Sequence, residues 1–231
     1  MTRNRSAPWQ VRLAGNAAQY HPRMPAPVSP PSVELRGQFG EIDIYLFDQL
    51  LRGRFDNRRR VLDAGCGTGR NLPYFLRGGF DVHAVDANAD AIRTARQLVA
   101  SLNPALPQDH IHCGPLESLP WESDTMDAVV CSAVLHFARD EQHFTTMIEE
   151  MWRVLVVGGL FFARLATSIG LEPHLPFATG RMLLPDGSER FLVDERTLLG
   201  LTSKLGGTIA DPVKTTNVQN LRCMTTWVIV K

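Results

Sequence analysis

The sequence predicts an α/β fold built on a mainly parallel sheet. Two observations carry this. From Val33 onward, apolar runs of strand length alternate with stretches whose apolar residues recur at i, i+3, i+4 and i+7. Glycine pairs at Gly78-Gly79, Gly158-Gly159 and Gly206-Gly207 then punctuate the ends of the helical stretches.

A first helix is expected over Ile42–Leu51, with Ile42, Tyr45, Leu46 and Leu50 on one stripe. The first strand is Arg60–Asp63 and the next helix Asn71–Arg77. A second strand, Asp81–Val85, runs to Asp86, and a helix starting at Asn88 or Ala89 carries Ala91, Ile92, Ala95, Leu98 and Val99 inward. Short strands follow at Ile111–Cys113 and Asp127–Cys131. Phe144, Met147, Ile148, Met151 and Leu155 mark a long helix, and Gly158-Gly159 turns it into a fifth strand at Leu160–Leu165. Met182–Leu184 and Glu189–Val193 flank a Pro-Asp-Gly turn and read as a hairpin. A helix over Glu195–Leu205 and strands at Val213–Val218 and Met224–Val230 complete the chain.

The first 33 residues differ from the rest. They hold no acid, four arginines (Arg3, Arg5, Arg12, Arg23) and six prolines, a composition that opposes helix and offers little to bury. Residues 1–33 are therefore expected to be a disordered tail, with an organelle transit peptide as the lesser alternative. Residues 34–231 are expected to form one domain, with a hairpin or lid insertion over about 175–194. The 231 residues carry a formal net charge of zero, which argues against a nucleic-acid partner. No apolar run nears the ~20 residues of a membrane span. Cys66, Cys113, Cys131 and Cys223 form no CxxC pair, the usage of a reducing, cytoplasmic protein.

VLDAGCGTGRN, residues 61–71, places Gly65, Gly67 and Gly69 behind a strand that ends in Asp63. A phosphate-binding loop needs G-x-x-x-x-G-K-[ST], and Arg70-Asn71 supplies no such pair. A dinucleotide turn needs G-x-G-x-x-G, and the spacing here is G-x-G-x-G. A carboxylate at Asp63 repels a pyrophosphate but can face an ammonium group. The turn suits a ligand with a cationic amine.

The segment D-A-G-C-G-T-G resembles motif I of class I S-adenosylmethionine-dependent methyltransferases. Asp86, 21 residues after Gly65, stands where that family grips the ribose, and GPLESLPWESDTMD and RVLVVGGLFF match its later motifs. The resemblance covers about residues 39–165. It implies a Rossmann-like class I methyltransferase sheet, mainly parallel with an antiparallel C-terminal strand and helices on both faces. It also implies S-adenosyl-L-methionine as cofactor, held by Asp63, Gly65, Cys66, Gly67, Gly69, Asp86, Ala87, Leu116, Glu117 and Cys131. Pro115 replaces the Asp that commonly bonds adenine, leaving the Leu116 N–H and Glu117 for that task. Taken alone, Asp86 is equally a helix N-terminal carboxylate.

Methyl transfer from a sulfonium is a displacement at carbon that gains much from alignment. His136, near the C-terminal edge of the sheet, is the candidate base, and equally a helix-start histidine with a satisfied bond. Tyr45 and Phe39 are candidates to fold over the cofactor, Tyr45 on the substrate side, or are core. Arg181, Arg190 and Phe191 flank the hairpin and suit an anionic acceptor or a solvated face. In the strand order that the resemblance implies, the third strand lies two strands from the first, so about 10 Å separates them; the cysteines with His136 cannot close on zinc, and no metal is expected. No Asn/Asp-Pro-Pro-Tyr follows the fourth strand, where Cys131-Ser132-Ala133-Val134 stands. The expected function is methyl transfer to a small-molecule acceptor. The alternatives are a catalytically weak cofactor-binding regulator or partner subunit and, disfavoured by glycine spacing, a nicotinamide dehydrogenase.

Overall fold

The computed structural model describes residues 31–173 and 179–231, with side chains from Glu34 onward. Residues 1–30 of the expected tail and residues 175–178 of the expected insertion lie outside the described residues. Pro31, Ser32 and Val33, assigned above to the tail, open helix α1 (Pro31–Phe39).

Among the described residues eight strands form one sheet. β1 (Arg60–Ala64), β2 (Asp81–Asp86), β3 (Ile111–Cys113), β4 (Met126–Ser132) and β5 (Leu155–Thr167) run parallel in the order β3-β2-β1-β4-β5. A separate antiparallel hairpin, β6 (Gly180–Leu183) and β7 (Glu189–Leu192), lies outside that sheet. β8 (Thr208–Ile209) and β9 (Lys214–Val218) pair with successive parts of β10 (Arg222–Val230). β10 in turn pairs antiparallel with β5 along Cys223–Val230. The sheet is thus mainly parallel with an antiparallel C-terminal end, as the resemblance implied.

The central strands are buried on both faces, and two cores result. One face packs Leu46 of α2 (Ile44–Leu51), Phe75 of α3 (Leu72–Arg77) and Ile92 of α4 (Ala89–Leu102) against Val61, Val82 and Val130. The other packs Phe144 and Met151 of α5 (Glu141–Val154) and Leu198 of α6 (Glu195–Lys204) against Val129, Phe161 and Trp227. Asp43, Asn88, Asp140 and Asp194 start α2, α4, α5 and α6, each accepting a backbone N–H from the first turn.

The fifth strand begins earlier than its apolar run suggested. β5 starts at Leu155, directly after α5, because Leu155 pairs with Met126 while Ala128 pairs with Leu160. The residues between form a bulge, with Gly158 at φ +78°. On the far side of β10, β8 and β9 are separated by a gap that holds Asp211. Its carboxylate accepts from Arg54 Nη2 at 2.9 Å and Gln49 Nε2 at 2.8 Å. No helix among the described residues is long and apolar enough to cross a membrane.

Candidate functional site

The chain between β1 and α3 turns across the C-terminal end of the sheet, and three backbone donors fasten it to β2. Gly65 N and Cys66 N donate to Val85 O at 2.8 and 3.0 Å, and Gly67 N donates to Asp86 Oδ2 at 2.8 Å. Gly65, Gly67 and Gly69 have φ of +79°, +55° and +93°, which favours glycine at each. Their surroundings separate their roles. A Cβ on Gly65 would sit 2.3 Å from Val134 Cγ2, and one on Gly69 would sit 3.0 Å from Leu98 Cδ2. A Cβ on Gly67 would meet nothing within 4 Å. Gly65 and Gly69 are there for packing; Gly67 offers bare backbone to open space.

That space is a cavity of about 710 Å³ at the C-terminal edge of the sheet, where open α/β folds hold ligands. Of the candidate cofactor residues, Gly65, Cys66, Gly67, Asp86, Ala87, Leu116 and Glu117 line it. Asp63, Gly69 and Cys131 do not. Gly69 packs on Leu72 and Leu98, and Cys131 lies fully buried in the core shared with α5. Burial pushes both the Cys66 and Cys131 thiols up, which disfavours the thiolate.

Asp63 lies just behind the wall, 2% exposed, and neither carboxylate oxygen has a hydrogen-bond partner of normal geometry among the described residues. Burial pushes it up to about 7; Arg70 and Asn71 pull against this and Asp86 adds to it. An unpartnered buried carboxylate is costly alone and fits a cationic ligand group. Asp86 stands at the start of α4 and at the cavity together. Its Oδ1 accepts from Asn88 N at the start of α4 and its Oδ2 from Gly67 N, each at 2.8 Å, and it still lines the cavity.

His136 is not at the cavity. It is 5% exposed in the 3₁₀ turn Leu135–Phe137, and its Nδ1 accepts from Ala166 N at 3.2 Å. Burial lowers it to about 4, with Arg190, Arg164 and Arg222 adding to the effect, so the ring is neutral and its acceptor nitrogen is occupied. The turn points its neighbour Phe137 into the cavity instead. Tyr45 also stands behind the wall: its hydroxyl bonds Thr216 Oγ1 and its ring lies 4.8 Å beneath the Arg164 guanidinium. Phe39 meets Phe47 edge-on and stacks on Tyr74, away from the cavity lining. In the hairpin, Arg181 pairs with Glu189, Phe191 is buried against Phe144, and Arg190 covers Phe137 at 4.9 Å.

The histidine that lines the cavity is His143, which the sequence reading passed over. Its Nδ1 accepts from Arg139 N at 3.1 Å and its Nε2 lies 2.6 Å from Glu117 Oε1. Nδ1 is thus occupied, while Nε2 faces the Glu117 carboxylate without a hydrogen bond of normal geometry among the described residues. The opposite wall is basic. Arg70 and Arg164 converge on the buried Asp43, at 3.6 and 3.4 Å from its Oδ2, and Arg70 Nη2 donates to Ser132 Oγ at 2.8 Å. Ser132 Oγ donates to the same Asp43 oxygen at 2.8 Å, and Arg164 Nε has no partner among the described residues. Two guanidiniums thus converge on one carboxylate. A lone arginine inside the apolar run LFFARLA was the signal available for Arg164.

Residues 61–159 match a family model described as a methyltransferase domain. The chain is 32% identical over 115 residues to the uncharacterized methyltransferase YodH of Bacillus subtilis (strain 168), covering 50% of this chain and 43% of that protein. It is 33% identical over 119 residues to a malonyl-[acyl-carrier protein] O-methyltransferase of Enterobacter lignolyticus (strain SCF1), covering 50% and 43%. It is 26% identical over 127 residues to the tRNA 5-carboxymethoxyuridine methyltransferase of Escherichia coli (strain K12), covering 55% and 48%. The chain spans less than half the length of each of these relatives. Its fold is similar to the crystal structure of PH0226 from Pyrococcus horikoshii OT3, with a TM-score of 0.61, 23% identity, and coverage of 81% of this chain and 88% of that one.

The three glycines respond differently to a methyl group. Gly65→Ala drives a Cβ into Val134 and lowers stability by more than the ~1 kcal/mol of an ordinary glycine replacement, as read by denaturant unfolding. Gly67→Ala leaves the fold near wild-type stability but weakens ligand binding in the cavity; equal binding losses in folded protein for both variants would refute the division of roles.

Proposed function

We propose that this chain, a methyltransferase domain over residues 61–159 on a class I methyltransferase fold, binds S-adenosyl-L-methionine in the 710 Å³ cavity and methylates a small acceptor bearing an anionic group. The observation that carries the cofactor assignment is the buried, unpartnered Asp63 carboxylate behind a glycine turn whose central residue, Gly67, faces open space. Asp63 answers the cofactor's ammonium group. Asp86, with one backbone N–H on each oxygen, keeps lone pairs for the ribose hydroxyls. Leu116 and Glu117 border the adenine end, Pro115 leaving no side-chain donor or acceptor there. When bound, S-adenosylmethionine supplies a sulfonium methyl group as electrophile.

Neither histidine offers a free ring to an acceptor: His143 Nδ1 accepts from Arg139 N and its Nε2 lies against Glu117, and His136 is turned inward. An acceptor that is already an anion, a carboxylate or thiolate, needs no base. Arg70 and Arg164 give such an anion an electrostatic partner and a fixed approach. Zero net charge supports a small acceptor over a nucleic acid, and four free cysteines suit the cytoplasm. The inward turn of His136, the candidate base, also favours a second reading, a cofactor-binding subunit that transfers no methyl group.

Asp86→Ala weakens S-adenosylhomocysteine binding by about 1.5–3 kcal/mol in calorimetric titration, the range for charge-assisted hydrogen bonds; an unchanged dissociation constant removes Asp86 from the ribose. Tight NAD binding without S-adenosylhomocysteine binding sinks the cofactor assignment itself.

The Asp63 carboxyl rises from an ordinary 3.8 to about 7 on folding, so the folded state retains a proton that the unfolded chain releases. Its contribution to stability is present below about pH 4 and is lost as pH rises through about 7. A bound ammonium favours the carboxylate, so the thermal stabilisation by S-adenosylhomocysteine grows from pH 6 to pH 8. In Asp63→Asn that growth disappears.

Arg164→Gln raises KM for carboxylate or thiolate acceptors in a methyl-transfer panel by about tenfold, the loss of one charge-assisted bond, while binding of S-adenosylhomocysteine holds. Cofactor binding with no transfer to any acceptor supports the subunit reading instead.

A further inference from the structure

We propose a zinc site at the opposite end of the sheet, formed by Asp81, His83 and His110. β2 begins at Asp81 and ends at Asp86, so one strand carries this cluster at one end and the cavity at the other. Asp81 and His83 are two residues apart on β2 and share a face. His110 closes the 3₁₀ turn Gln108–His110 just before β3, whose Ile111 pairs with Ala84 of β2.

The donor atoms converge. Asp81 Oδ1 lies 3.3 Å from His83 Nε2 and 3.3 Å from His110 Nδ1. The two imidazoles stack with centroids 4.1 Å apart, and one donor atom from each of the three residues falls within 4.8 Å of the others. These contacts are not hydrogen bonds of normal geometry: His110 Nδ1 and both nitrogens of His83, a residue 6% exposed, have no partner among the described residues. Buried nitrogens aimed at one oxygen without bonding it are unfavourable as they stand.

A tetrahedral ion with bonds of about 2.0–2.2 Å holds its ligand atoms about 3.3–3.6 Å apart, and the two nitrogen–oxygen separations already have that length. Arg60 Nε donates to Asp81 Oδ2 at 2.7 Å, orienting the carboxylate and leaving Oδ1 to the cluster. Two imidazoles and one carboxylate suit zinc, whereas calcium and magnesium favour all-oxygen sets. Asp81 and His110 are part-exposed, so a water can take the fourth position. β3 has only three residues, and an ion here clips the turn before it to β2.

The test uses the tag-free full chain, stripped with EDTA and titrated with zinc chloride in a calorimeter, with thermal unfolding alongside. One equivalent binds, Tm rises, and EDTA reverses the rise. His110→Ala and Asp81→Asn weaken binding by at least about tenfold, since even a second-layer partner is worth that much. Their circular dichroism and S-adenosylhomocysteine binding match wild type; because His110 is part-exposed, its variant tests the site even if one at buried His83 fails to fold. Cobalt(II) gives the absorption of a four-coordinate ion in wild type and loses it in His110→Ala. No zinc binding by the stripped wild type overturns the proposal. So does binding unchanged in His110→Ala, which would place the ion elsewhere, for example on exposed Cys113.

Discussion

Everything at the C-terminal edge of the sheet depends on how the β1–α3 turn is pinned. The turn spends three of its backbone donors on the end of β2, two on Val85 O and one on the Asp86 carboxylate. The same contacts fix Asp86, because the Gly67 N–H occupies one oxygen and the Asn88 N–H the other. A side chain at Gly65 would collide with Val134, so the turn can lie this low only with glycine there. The resulting geometry leaves Gly67 as uncovered backbone at the cavity, with the buried Asp63 behind it.

The second organising contact is Asp43. It starts α2 by accepting the Tyr45 N–H, and its other oxygen gathers Ser132, Arg164 and Arg70 from three separate elements. Breaking one partner of so buried a carboxylate costs more than the bond itself, because the remaining charges stay desolvated. The network therefore holds α2, the glycine turn and the ends of β4 and β5 in one arrangement. Tyr45 belongs to it through the face of its ring, supporting Arg164 from behind.

Much of this was legible in the sequence. Periodicity and glycine pairs located most strands and helices to within a residue or two, and motif spacing located Asp63, Gly65, Gly67 and Asp86. What was not legible depends on angles that spacing does not encode. His136 and Phe137 are adjacent, yet a 3₁₀ turn separates successive side chains by about a third of a circle, which sends the histidine inward and the phenylalanine out. Cys131 and Ser132 are likewise adjacent on β4, and strand alternation gives the core to one and the cavity to the other. The apolar stripe of α5 marks its core face and says nothing of His143, which lies on the cavity side. Arg70 and Arg164 meet across 94 residues of chain, and only the strand order brings them together.

The sheet's outer margins have a consequence for the protein in a crowded solution. At one margin β3 offers only three residues; at the other, β10 is covered by the two-residue β8 and the five-residue β9. Between β8 and β9 the gap is filled by Asp211 and the Arg54 and Gln49 side chains that bond it. An unpaired strand invites another chain to dock by backbone hydrogen bonds when it is long and flat. Among the described residues neither margin presents a long, flat row, so edge-to-edge docking finds only short strands there.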